Sequence, residues 1–132
     1  MDRQRFATAV WRAALVVGAV ALYATALSNG AYQVTSPASV PYHIVLRKTY
    51  ALGAFALLGF LLEQSEISGL RGISRAAIAV GLYSTAIEFG QTYISGSLEP
   101  MSEHVFDIAS GVVGGAFGSW FSIARNRRTL SP

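Results

Sequence analysis

The chain of 132 residues is poor in charge: Asp, Glu, Lys and Arg together make up 13%, about half of what a soluble globular domain carries. That scarcity argues against a water-solvated domain. Cysteine is absent altogether, which excludes disulfides, cysteine-based zinc sites, iron–sulfur clusters and thiol nucleophiles at once. Disorder is excluded for the opposite reason, because 52% of residues are hydrophobic and the net charge is only +3. The isoelectric point near 9.6 does not mark a nucleic-acid binder, since no basic stripe with interleaved aromatics exists. The cations sit instead in short clusters between apolar runs, and the mean hydropathy is +0.43. The expected solvent is a bilayer, and the expected unit is one transmembrane domain over residues 1–132.

A membrane-spanning helix needs about 20 mostly apolar residues. Four segments approach that length: Ala7–Leu27, Ile44–Leu62, Ala76–Ile94 and Val105–Ala124. None alternates with period two, and each is too long for a strand, so strands are excluded and an all-α, four-helix transmembrane bundle is expected. The first run follows Arg3, Arg5 and Arg12 and ends in Ala24-Thr25-Ala26, the outline of a signal peptide; it is expected to be retained as a span. The connections Ser28–His43, Glu63–Arg75 and Ser95–His104 carry Gly, Ser, Pro and polar residues, and are expected as loops. Ser95-Gly96-Ser97 is a fragment of a serine-hydrolase elbow without its final glycine or preceding strand, so it is expected to be a turn.

Orientation follows from the cations beside the span ends. Arg3, Arg5, Arg12, Arg71, Arg75, Arg125, Arg127 and Arg128 fall on one side, and only Arg47 and Lys48 on the other. Both termini are therefore expected in the cytoplasm of a bacterial inner membrane. Trp11, Trp120, Tyr32, Tyr42 and Tyr93 lie near predicted ends, where interfacial aromatics belong. Helices in lipid associate through small residues, and the fourth span offers two such pairs, Gly111/Gly115 and Gly114/Gly118, for one face to meet a neighbour. Gly53, Gly59 and Gly81 are expected to admit close approach in the same way.

Charge inside a span is costly and calls for a partner or a task. With the orientation above, Glu88 lies about 9 Å, Lys48 about 6 Å and Asp107 about 3 Å below the outer ends of their helices. Gln91 shares a helix face with Glu88, and Arg47, His43, His104, Glu99 and Glu103 lie just above. Three readings are open: a structural network in which Lys48 or Arg47 neutralises Glu88 and Asp107, an outward-facing cleft for the head group of a lipid or lipid-linked molecule, and a catalytic carboxylate pair. The last has no nucleophile, metal triad or phosphate loop beside it. Glu103, His104 and Asp107 fall within one turn and, with His43, are the nearest approach to a zinc site, but no His-Glu-x-x-His is present. No catalytic residue, metal or cofactor is expected.

The C-terminal half resembles the VanZ-like family of small membrane proteins, over roughly residues 44 to 122. The resemblance rests on Glu88-Phe89-Gly90-Gln91, which matches the family's Glu-x-x-Gln, on Asp107 followed by Gly114 and Gly118, and on Lys48 at the start of the preceding span. Where the family has an Arg before its Asp this chain has Met101, and where it has an Asn four residues after, this chain has Gly111. The resemblance implies a four-helix membrane protein and points at the cell envelope, with no assigned reaction; the expected role is non-enzymatic, with membrane lipids as partners. The alternative is an accessory structural subunit of a larger membrane complex, respiratory or photosynthetic. Nucleic acid is not an expected partner.

Overall fold

The computed structural model describes residues 2–35, 37–95 and 101–128 and is all-helical among them. Its helices are α1 (Arg3–Ala26), α2 (Asn29–Thr35), α3 (His43–Gln64), α4 (Ile73–Ser95) and α5 (Met101–Arg128). Gly96, Ser97 and Glu99 lie outside the described residues, as do the side chains of Glu103 and Tyr32. The long helices begin and end where the chemistry of their termini permits. Asp2 accepts from the Gln4 amide at the start of α1 (3.4 Å), satisfying a backbone donor that has no partner within the helix. The segment expected as a loop at Ser28–His43 contains the short helix α2, because the Ser28 hydroxyl accepts from the Ala31 amide (3.3 Å) as an N-cap.

The second connection is shorter than expected, since Glu63 and Gln64 remain helical and α4 begins at Ile73. The chain reverses there through left-handed backbone, including Gly72 at φ 104°, where a side chain would be strained.

Side-chain contacts fix the topology. Arg12 meets Ser65 and Trp11 stacks edge-on against Phe60 (6.1 Å), so α1 and α3 are antiparallel. Tyr83 and Gln91 of α4 bond to the carbonyls of Ala19 and Ala26, so α1 and α4 run together. Lys48 meets Asp107 and Gln64 meets Ser122, so α3 and α5 also run together. The four long helices thus alternate up and down, with α5 packed most extensively, against both α3 and α4. Phe55, Leu58, Leu62, Ala76, Val80 and Ile87 form the buried cluster; α1 has no buried residue and lays Leu15, Ala19, Leu22 and Ala26 against it.

The α5 glycines set the helix separations, and they serve two neighbours rather than one face. Toward α4, a methyl group at Gly111 would lie 2.5 Å from Ser84 Cβ, and one at Gly115 would lie 2.8 Å from the Ala76 carbonyl. Toward α3, a methyl at Gly114 would lie 2.7 Å from Phe55 Cβ, and one at Gly118 would overlap the Ala56 carbonyl. Gly59 meets the Gly115 backbone and Gly81 meets Val112. Gly53 does not behave as expected: it faces open space, on an exposed surface of α3.

Polarity is distributed inside out. Ser84, Ser110, Ser119, Ser122, Glu88 and Asp107 are buried, whereas Ile78, Leu82, Phe89, Val113, Phe117 and Phe121 of the same two helices are exposed. By length and apolarity taken helix by helix, two helices among the described residues, Arg3–Ala26 and His43–Gln64, suffice to cross a membrane.

Gly118→Ala is expected to destabilise the bundle by about 3 kcal/mol, because the obstructing atoms are backbone and cannot rotate away. Gly53→Ala is expected to be neutral or stabilising by up to about 1 kcal/mol, from helix propensity alone. Denaturant unfolding of both variants in detergent, followed by circular dichroism, checks the contrast; equal effects would contradict the assigned faces.

Candidate functional site

At the end of the bundle where α1 finishes and α3 begins, four helices bring the polar residues together. Because α3 and α5 are parallel, Lys48 on the second turn of α3 reaches Asp107 near the start of α5. Its ammonium lies 2.6 Å from both carboxylate oxygens and 5.3 Å from the centroid of the Phe106 ring. The Ser84 hydroxyl donates to the Asp107 carbonyl (2.9 Å), tying α4 to the same point of α5.

Glu88 meets His104, a pairing that spacing alone did not single out: His104 Nδ1 lies 2.6 Å from Glu88 Oε2 and donates to it when the ring carries its proton there. The reason is geometric. His104 and Asp107 are three residues apart and share a face of α5, so one helix addresses α4 through His104 and α3 through Asp107. Gln91, on the same face of α4 as Glu88, turns to α1 and donates to the Ala26 carbonyl (2.8 Å), one of the last-turn carbonyls that have no partner within their own helix.

These groups surround a cavity of about 310 Å³, within the range typical of small-molecule sites. Its polar lining includes the charged Arg47, Lys48, Glu88 and Asp107, together with Gln91 and the hydroxyl residues Thr25, Thr35 and Tyr50. Its apolar walls come from Leu22 and Ala26 of α1, Ala51, Ala54 and Phe55 of α3, and Ile87 of α4, with α2 contributing Ala31. The short helix that the sequence concealed is thus part of the cavity wall. His43 is turned away, its Nδ1 lying 2.9 Å from the Val40 carbonyl. Among the described residues no three metal-ligating side chains converge, and the Glu103 side chain lies outside them.

A second polar centre sits at the opposite end and was not foreseen. Glu63, buried in the last turn of α3, accepts from the Gly72 amide (2.8 Å) and the Ser119 hydroxyl (3.1 Å), with Arg71 Nε at 3.4 Å. Gln64 donates to Ser122 Oγ (2.7 Å) alongside. The signal was an acidic residue closing an apolar run, with two serines three residues apart on a glycine-rich helix. This centre fastens the α3–α4 turn to α5. Among the described residues no buried side-chain nitrogen or oxygen lacks a hydrogen-bond partner, as a low-dielectric interior requires.

The Lys48–Asp107 pair is largely buried, with 17% and 13% of the two side chains exposed. Removing one partner leaves the other charge uncompensated, so Asp107→Leu and Lys48→Met are each expected to cost about 3 kcal/mol. The double variant, with no charge left to bury, is expected to recover most of that loss; additive losses in a double-mutant unfolding cycle would show that the ions do not interact. The chain matches no family model, no curated protein and no solved structure, so the chemistry of this site rests on its own geometry.

Proposed function

We propose that the chain is a VanZ-like integral membrane protein, a four-span bundle with both termini in the cytoplasm of a bacterial inner membrane. Its outer polar cluster binds the head group of a lipid or other cell-envelope amphiphile, and its role is binding rather than catalysis. Support for four spans comes from the inside-out polarity of α4 and α5. Their serines and carboxylates are buried while bulky apolar side chains point outward, the arrangement that favours lipid as the surrounding medium. Both are long enough, at 23 and 28 residues.

The observation that carries the binding reading is the cavity itself. A purely structural ion-pair network needs no empty volume beside it, and here charged groups border an apolar slot of about 310 Å³. That pairing suits an amphiphile, with its head against Arg47, Glu88 and Gln91 and its chain along Leu22, Ala54 and Ile87. A hydrolytic role has less support, because no nucleophile accompanies the two carboxylates.

A second reading, an accessory subunit of a larger membrane complex such as a respiratory or photosynthetic one, is favoured by α1. That helix is apolar yet has no buried residue, leaving Val10, Val16, Val17 and Val20 exposed for another chain. Purification in mild detergent that returns the chain alone would count against it.

The binding reading is tested by Ala54→Trp, which fills the slot without touching a charge. Lipids retained after gentle extraction are quantified by mass spectrometry; the wild type is expected to hold a tightly bound amphiphile that the folded variant has lost. Identical lipid content in both proteins would overturn the proposal.

A further inference from the structure

Resting on the binding reading above, we propose that the cavity selects its ligand by the hydrocarbon chain rather than by the head group, and that it takes a single-chain amphiphile of about ten carbons. The argument begins at the rim, where the fold itself engages the polar groups. Lys48 meets Asp107 at 2.6 Å, His104 meets Glu88 at 2.6 Å, and Gln91 Nε2 donates to the Ala26 carbonyl at 2.8 Å. The formal charges of the lining also balance, Arg47 and Lys48 against Glu88 and Asp107. A rim matched in this way, with no net charge, discriminates little between head groups of different charge. Selection then falls to the apolar part of the slot.

That part has a floor. Among the described residues, the deepest of the lining are Phe55 on α3, Ile87 on α4 and Leu22 on α1. Phe55 and Ile87 belong to the buried cluster and Leu22 packs against it, while Leu58 and Val80 of the same cluster follow further inward on α3 and α4. The slot is therefore closed at its inner end, and a chain enters from the polar rim, in the orientation of an outer-leaflet lipid. From Lys48 down to Phe55 the rise of α3 gives a depth of about 10 Å. A chain of an ordinary bilayer lipid spans half of a hydrocarbon core of about 30 Å, so the floor stops it short. Volume agrees with depth: the 310 Å³ here is twice a cavity of about 150 Å³ that takes up one benzene ring, which leaves room for about ten carbons in one chain. Filling the slot gives its wall atoms dispersion contacts across it, whereas a fluid membrane closes behind the departing chain. Each methylene adds such contacts until the floor is met; further ones only lift the head away from the rim.

The test is a competition read by native mass spectrometry on the full chain in a sterol-based detergent, which has no straight chain of its own to enter the slot. The probes are monoacyl phosphocholines of graded chain length, at equal mole fraction in the micelle, and the same series with a phosphoglycerol head. The wild type is expected to retain the member near ten carbons about tenfold over the shortest and the longest, with the same optimum for both head groups. Leu22→Ala removes three carbons from the inner wall, on the helix that contributes least to the core, and is expected to move the optimum up by about three carbons. Retention that keeps rising to the longest chain would overturn the assignment, as would an optimum that changes with the head group or stays unmoved in folded Leu22→Ala; the wild-type length profile decides if that variant does not fold. Amphiphile that Ala54→Trp displaces but that the wild type retains irrespective of chain length would remove this inference and leave the binding reading standing. Absence of any amphiphile sensitive to Ala54→Trp would remove both.

Discussion

The approach of backbones along α5 is the constraint on which the remaining structure depends. Four glycines in two rows let α5 sit against α3 on one side and α4 on the other, at separations that a single methyl group would violate. Contact at this range is where dispersion and short hydrogen bonds become available. Depth register follows from it. With Gly114 opposite Phe55 and Gly111 opposite Ser84, Asp107 comes level with Lys48 and His104 level with Glu88. The Lys48–Asp107 ion pair and the His104–Glu88 contact then fix azimuth and partner identity, which small residues alone leave undetermined. Packing brings the charges within reach, and the charges select one packing.

Much of this was legible in the sequence. Helical periodicity and apolar length gave the long helices to within a few residues, and costly charges inside apolar runs marked Lys48, Glu88 and Asp107, all of which line one cavity. Pairing was not legible. Spacing along a chain says which residues share a depth, but which acid meets which base depends on rotation about each helix axis, and His104 lay in a segment that looked like loop. Gly53 misled for the same reason: glycine permits close approach without requiring it, and this one faces outward. Helix α2 was hidden because Asn, Gly and Thr have weak helix propensity; its N-cap at Ser28 and its packing override that preference. Glu63 was missed because an acid at the end of an apolar run looks like the first solvated residue of a loop.

The two ends of the bundle use buried carboxylates in contrasting ways. At the Glu63 end, the carboxylate is surrounded by a backbone amide, a hydroxyl and an arginine, and it closes a turn. At the Glu88 end, the carboxylate is held on one side by His104 and borders open volume on the other. The first closes a turn and the second lines a cavity.

Helix α1 completes the cavity while contributing least to the core, and the manner of its attachment matters. The hydrogen bonds described between α4 and α1 end on main-chain carbonyls, at Ala19 and Ala26. Every amino acid carries a carbonyl, so these bonds survive replacement of the side chains around them. Substitutions along the α4-facing stretch of the first helix therefore leave this attachment intact, whereas α3, α4 and α5 are locked to one another by glycine contacts and specific side-chain partners that tolerate no such exchange.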